Sequence, residues 1–199
     1  MSEQLQEYGL TPEQMLDCLE AFGERVRELL SQLGLDLRSC QADHIALRIN
    51  SPMLAEKAHN VWKTLGKEIS SAHINGRPII VFKLTNGIHF ADWSVDCLEL
   101  PYPAEGKIYP AQGWEHVEFV IHSKAQTADE YLADLKQRFP ELERKWASLS
   151  EMGIKAKLSS PKGEAERLAN PTVAFKKDGV CIKLHPHSLE EVIQSEQAA

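Results

Sequence analysis

Apolar side chains recur at helical spacing through Met15, Leu19, Phe22, Val26, Leu29 and Leu30, which predicts one helix with a buried stripe. Thr11-Pro12-Glu13-Gln14 supplies its start: a capping threonine, a proline where no N–H is needed, and a glutamine able to bond back. The pattern lasts about 20 residues and ends near Gly34. From Ala42 to Ile49 the period changes to two, with Ile45, Leu47 and Ile49 on one face and His44, Ala46 and Arg48 on the other. Helical spacing returns over Pro52 to Lys67 through Leu54, Ala58, Val61, Trp62 and Leu65. Strands are then expected at Ile69 to Ile74, Ile79 to Leu84 and Phe90 to Leu100, separated by the turn signals Asn75-Gly76 and Asn86-Gly87.

The same order comes round again. His116 to Ile121 alternates, Ala128 to Leu149 reads as helix, and strands are expected near Ile154 to Leu158, Thr172 to Lys176 and Val180 to His185. Ser188 caps a last helix over Leu189 to Gln197, with Glu190 and Glu191 in its first turn. Such an echo predicts an internal duplication. The expected fold is α+β: two tandem βαβββ modules, plus an N-terminal helical segment. Within one domain spanning 1–199, the helical segment is 1–38, module one 39–103, a linker 104–113, module two 114–187 and the C-terminal helix 188–199.

A chain of 199 residues with 43% hydrophobic residues is long enough to bury a real core. A net charge of −7 with mixed signs throughout argues against a general grip on nucleic acid. No apolar run reaches the roughly 20 residues a bilayer span needs, and Met1-Ser2-Glu3-Gln4 lacks a secretory pattern, so no membrane partner and a cytoplasmic location are expected. Cys18, Cys40, Cys97 and Cys181 form no CxxC pair and are expected to be buried reduced thiols. Cys97 and Cys181 lie close before candidate ligands on predicted strands.

The chemistry sits at corresponding places in the two repeats. His44 opens the first strand of module one and His116 that of module two; Glu99 ends the last strand of module one and His185 that of module two. Imidazole with carboxylate suits one divalent Zn, Fe, Mn, Ni or Co ion better than a thiolate-preferring one. A lone strand histidine is more often structural, so the case rests on the symmetric placing of three. Glu99 is open between fourth ligand, base and surface residue. Arg48 shares a face with His44, Glu118 with His116, and Lys183 with His185. Glu99 and Glu118 are therefore the candidate catalytic carboxylates. Arg48, Lys183 and Arg77 are the candidate substrate-binding cations, suited to a small anionic or enolate-forming molecule. Arg77 points into the cavity or closes its hairpin, and Ser159 to Asn170, with Lys162, Glu164, Glu166 and Arg167, is a lid or an ordinary loop.

Through Ala42-Asp43-His44-Ile45-Ala46-Leu47-Arg48, Asn75-Gly76-Arg77-Pro78-Ile79, Phe82-Lys83-Leu84, Glu99-Leu100-Pro101-Tyr102-Pro103, Tyr109-Pro110, Gly113-Trp114-Glu115-His116-Val117-Glu118, Ser159-Ser160-Pro161-Lys162-Gly163-Glu164, Asn170-Pro171-Thr172 and Lys183-Leu184-His185-Pro186, the sequence resembles the YecM family. That family lies in the vicinal oxygen chelate superfamily, with glyoxalase I and the extradiol dioxygenases. The resemblance implies paired βαβββ modules whose curled mixed sheets surround a cavity and a metal, with ligands from the first and last strands, where His44, Glu99, His116 and His185 fall. It also implies an enzyme of isomerase, lyase, hydrolase or dioxygenase type acting on a small oxygen-chelating substrate. Three histidines depart from the glyoxalase pattern, which leaves no obvious metal-bound glutamate as base. They match the dioxygenase set only if Glu99 completes it. The alternatives are a non-catalytic module capturing a small ligand or metal, and an interaction protein using its N-terminal helix. Oligomeric state is not legible.

Overall fold

Capping chemistry sets where the helices begin. In the computed structural model, which describes residues 3–74, 76–160 and 168–197, α1 (Glu3–Glu7) precedes α2 (Pro12–Asp17). Thr11 Oγ1 accepts from the Gln14 N–H while Gln14 Oε1 accepts from the Thr11 N–H, the reciprocal cap the sequence predicts. The single long helix is instead two, because Cys18 leaves helical geometry at φ −96°, ψ 5°. Its N–H and thiol turn back onto the carbonyls of Gln14 and Met15. α3 follows over Leu19–Leu33.

The chain forms two compact units, Met1–Gly23 with His44–His116, and Glu24–Asp43 with Val117–Ala199. The first holds β1 (Gln41–Arg48) from His44 onward, α4 (Pro52–Trp62), β2 (Gly66–Ser70), β3 (His73–Ile74), β4 (Arg77–Phe90) and β5 (Trp93–Pro101). Its strands lie in the order β2-β4-β5-β1, with β3 beside β4. β1 runs parallel to β5, placing His44 opposite Cys97 and Ala46 opposite Glu99. Both faces of β1 are buried, His44 and Ala46 as fully as Ile45 and Leu47. The face bearing the histidine is thus interior. Ser51 caps α4, which stops at Trp62 rather than Lys67 because β2 begins at Gly66. A Cβ there would come within 2.4 Å of the Lys83 carbonyl.

Asn86-Gly87 is not a turn. β4 runs straight through it, absorbing the irregularity as a register shift between Lys83 and Ile88. The chain reverses at Ala91-Asp92, between the paired Phe90 and Trp93, with Ala91 at φ 50°. Glu20 accepts the Ala91 N–H at 3.1 Å. Gly23 allows this approach, since a Cβ would lie 2.9 Å from that of Ala91. Long-range hydrogen bonding outweighs the local Asn-Gly signal.

β6 (Gly113–Val120) enters the second unit at Val117, which continues through α5 (Ala128–Arg138), α6 (Pro140–Lys145), a 3-10 turn at Trp146–Ser148, β7 (Lys155–Ser159), β8 (Thr172–Lys177), β9 (Val180–His185) and α7 (Leu189–Gln197). The helix expected over 128–149 breaks at Phe139, which sits at φ −122°, ψ 81° before a proline that cannot donate. The strand order is β6-β9-β8-β7, so the first strand again lies beside the last. Tyr131, Leu135, Leu142, Phe175, Ile182 and Leu184 form the interior. The Tyr131 hydroxyl donates to the Ile121 carbonyl at 3.0 Å, and burial pushes its phenol far above the usual range. Each repeat is β-α-β-β-β, with a two-residue addition, β3, in the first and the helix broken in two in the second, and the α+β class with paired βαβββ modules stands.

Cys97 and Cys181 are buried as expected, whereas Cys18 is exposed and Cys40 half-buried. Asn75 and the lid residues Lys162, Glu164, Glu166 and Arg167 lie outside the described residues. No described helix is long and apolar enough to cross a membrane.

Candidate metal centre

His44, His116 and His185 are 2%, 3% and 1% exposed, and imidazoles buried to that degree need polar partners. In the first unit His44 comes from β1, His116 from β6 and Glu99 from the end of β5. One Glu99 oxygen faces each ring: Oε2 lies 3.6 Å from His44 Nε2 and Oε1 lies 3.8 Å from His116 Nε2. The three residues each offer one ligand atom, all within 4.8 Å of one another. The two rings stand edge to face, 6.0 Å apart.

Glu115 fixes the proton on His116. Its carboxylate, which can only accept, contacts His116 Nδ1. Nδ1 therefore carries the hydrogen, and in the neutral ring the lone pair is on Nε2, the nitrogen that faces Glu99. Arg48 forms an ion pair with the other Glu115 oxygen and lies 3.6 Å over the Tyr109 ring. This candidate substrate cation thus holds Glu115. Arg77 donates to the Tyr102 carbonyl at 3.1 Å, closing the end of its hairpin.

The other predicted residues belong to the second unit. His185 Nδ1 faces both the His187 carbonyl and, at 3.2 Å, the Asn170 side-chain amide nitrogen. Asn170 packs beside it, taking the His187 N–H at 3.0 Å and donating to the His187 carbonyl at 3.2 Å. His185 Nε2 lies 3.3 Å from Glu118 Oε2 and 3.5 Å from Asp43 Oδ2. Lys183 donates to the remaining Glu118 oxygen at 2.7 Å, and the Leu189 N–H donates to Asp43 at 2.9 Å.

Sequence reasoning misses Glu115, Asp43, Tyr109 and Asn170. Strand parity excludes the two acids, because each precedes its histidine and should face the opposite side. The signal is the repeated acid-His pair itself, Asp43-His44 and Glu115-His116, at the same place in both modules.

These residues fit a divalent cation. A direct charge-assisted hydrogen bond spans about 2.7–2.9 Å, shorter than either Glu99 separation. Two atoms each about 2.1 Å from one ion at the tetrahedral angle lie about 3.4 Å apart. A lone pair turned toward a carboxylate at such a distance is repulsive unless a proton or a cation intervenes. Two imidazoles and one carboxylate are also the donor set of borderline metals.

The sequence matches the family described as YecM protein over residues 11–196. This chain belongs to the YecM family. Across 182 residues it is 41% identical to Protein YecM of Escherichia coli (strain K12), covering 91% of this chain and 92% of the relative. An uncharacterized protein of Haemophilus influenzae is 31% identical over 182 residues, covering 88% and 90%. A solved structure titled "Structural Genomics, Protein EC4020" superimposes with a TM-score of 0.78 at 35% identity, covering 99% of this chain and 98% of that one. The family resemblance read from the strand-borne histidines and the Pro- and Gly-marked segments therefore holds across the YecM chain.

Proposed function

We propose that this YecM-family chain is a metal-dependent enzyme acting on a small oxygen-bearing anion, with its cation held by His44, Glu99 and His116. The observation that carries the reading is the Glu99 carboxylate between two buried imidazoles, open by 3.6 and 3.8 Å, with Glu115 fixing the ring of His116. Among Zn, Fe, Mn, Ni and Co, the two-His-one-carboxylate set suits Fe(II) well. When bound, the cation supplies Lewis acidity toward substrate oxygens. The chain's own residues set the orientation: Arg48 and Glu115 lock the His116 ring, and in the second unit Lys183 anchors Glu118, the other candidate carboxylate. His185, with Asp43 and Glu118, repeats the same donor chemistry in the second unit, and a His185→Ala variant tests whether the cation depends on it.

Plasma mass spectrometry on protein purified without chelator or affinity metal is the test, comparing wild type with a His44→Ala, His116→Ala double variant. Near-stoichiometric metal in the wild type, lost in the variant, is expected. Absence of metal from both overturns the reading. Bound metal without turnover of any oxygen-chelating anion moves the assignment to a non-catalytic binding module.

A further inference from the structure

The first unit holds an open cavity of about 440 Å³ that shares no residue with the metal-binding set. Its walls are Leu16, Leu19, Trp62, Leu65, Leu84 and Ile88, and its polar groups come from Asn86 and His89. Two irregularities shape it. The helix break at Cys18 falls between Leu16 and Leu19, and the shifted register of β4 between Lys83 and Ile88 carries Leu84, Asn86 and Gly87. The volume lies in the lower part of the roughly 300–1,000 Å³ typical of small-molecule sites.

Three features of the lining describe an occupant. Leu16 and Leu65, at 43% and 41% exposure, leave apolar surface at the mouth that a hydrocarbon would cover. Trp62 is 1% exposed, yet its indole Nε1 has no hydrogen-bond partner among the described residues. Buried indole N–H groups normally find one, and the neighbouring Trp114 does, donating to the Met15 carbonyl at 2.7 Å. His89, also in the lining, has its Nδ1 set 2.6 Å from Ser94 Oγ, which leaves Nε2 as its second polar atom.

We propose that this cavity binds a small carboxylate with an aliphatic or aromatic body. The leucines and Ile88 take the hydrocarbon against the edge of Trp62, while His89 and the Asn86 amide donate to the acid's oxygens. Donors with no acidic side chain in the lining favour an oxygen-rich, anionic head over an amine. Apolar walls with a few convergent polar groups are the general form of such sites.

The test titrates the full-length protein with octanoate and with octan-1-ol, following tryptophan emission and heat of binding. Saturable octanoate binding is expected, with a change in emission that Trp62→Phe removes. Leu65→Glu, at an already exposed position, places a like charge at the mouth; it should weaken octanoate about tenfold with an unchanged thermal midpoint. His89→Ala should weaken octanoate more than octan-1-ol. The metal-deficient His44→Ala, His116→Ala protein should bind octanoate as wild type does, which separates this site from the metal reading. Absence of saturable binding, or octanoate binding indifferent to Leu65→Glu, overturns the proposal. So does a self-association in the ultracentrifuge that Leu65→Glu abolishes while octanoate has no effect, since the mouth would then be a protein contact.

Discussion

Two imidazole–carboxylate groupings in the first unit use the same chemical groups to opposite ends. At the edge, His59 Nε2 sits 2.9 Å from Glu68 Oε2, and the Tyr102 hydroxyl meets its other nitrogen at 3.1 Å. Lys63 approaches the same carboxylate at 3.4 Å. That cluster is closed: each charge has its counter-charge at contact, and the side chains keep partial exposure. In the interior, His44 and His116 stand 3.6 and 3.8 Å from Glu99, with almost no solvent to compensate. Residue type does not separate the two clusters. The open spacing, the burial and the Glu115 contact that fixes a ring nitrogen do, and these are what give the interior cluster the features of a cation site.

The sharpest way to break this comparison is to make the same substitution in both clusters. Glu99→Gln keeps the shape and removes the charge, and metal affinity is expected to fall by more than the roughly 10–100-fold that loss of an outer partner costs. Glu68→Gln should leave metal content untouched. Equal retention in a chelator competition would erase the distinction. Glu115→Ala comes next, with an expected loss of about 10–100-fold, because His116 loses the carboxylate that holds its Nδ1 hydrogen. Arg48→Ala should act in the same direction by loosening Glu115. If both leave affinity unchanged, the acid beside His116 is only a charge partner of Arg48 and not an orienting group.

Much of the fold is legible in the order of the residues. The alternation around His44 and His116 locates the first strands of both modules, and the predicted Val180–His185 strand agrees to the residue. Thr11 and Ser188 announce their caps through the acceptor chemistry of their side chains. Where the pattern misleads, long-range contacts usually override a local signal. Asn86-Gly87 reads as a turn, yet β4 keeps its pairing with β5 on both sides of it. Cys18 has no residue-level mark of a helix break, while Pro140 is a visible breaker inside an otherwise continuous helical pattern. At the site, a period-two rule correctly groups Lys183 with His185 but cannot show that Glu115 contacts the ring of the residue beside it. Nor does any periodicity report that Arg48 is held by Glu115 and Tyr109.

The smallest expected effect calibrates the closed cluster. The hydrogen bond to His59 holds the Glu68 carboxyl below its ordinary 4.5, with Lys63 helping against the opposing effect of burial. A carboxyl whose pKa is lower in the folded chain than in the unfolded one contributes stability above about pH 4.5, and that contribution is lost as pH falls through the depressed value. Denaturant unfolding of wild type and Glu68→Gln between about pH 6 and pH 3 should give curves that converge in acid. At neutral pH they should differ by only about 0–1 kcal/mol, as expected of a partly exposed pair. Curves that stay parallel through the acid range would mean that the His59–Glu68 contact carries no differential proton affinity. The edge pair would then no longer serve as the reference for a satisfied imidazole–carboxylate contact, and the contrast with Glu99 would rest on burial and spacing alone.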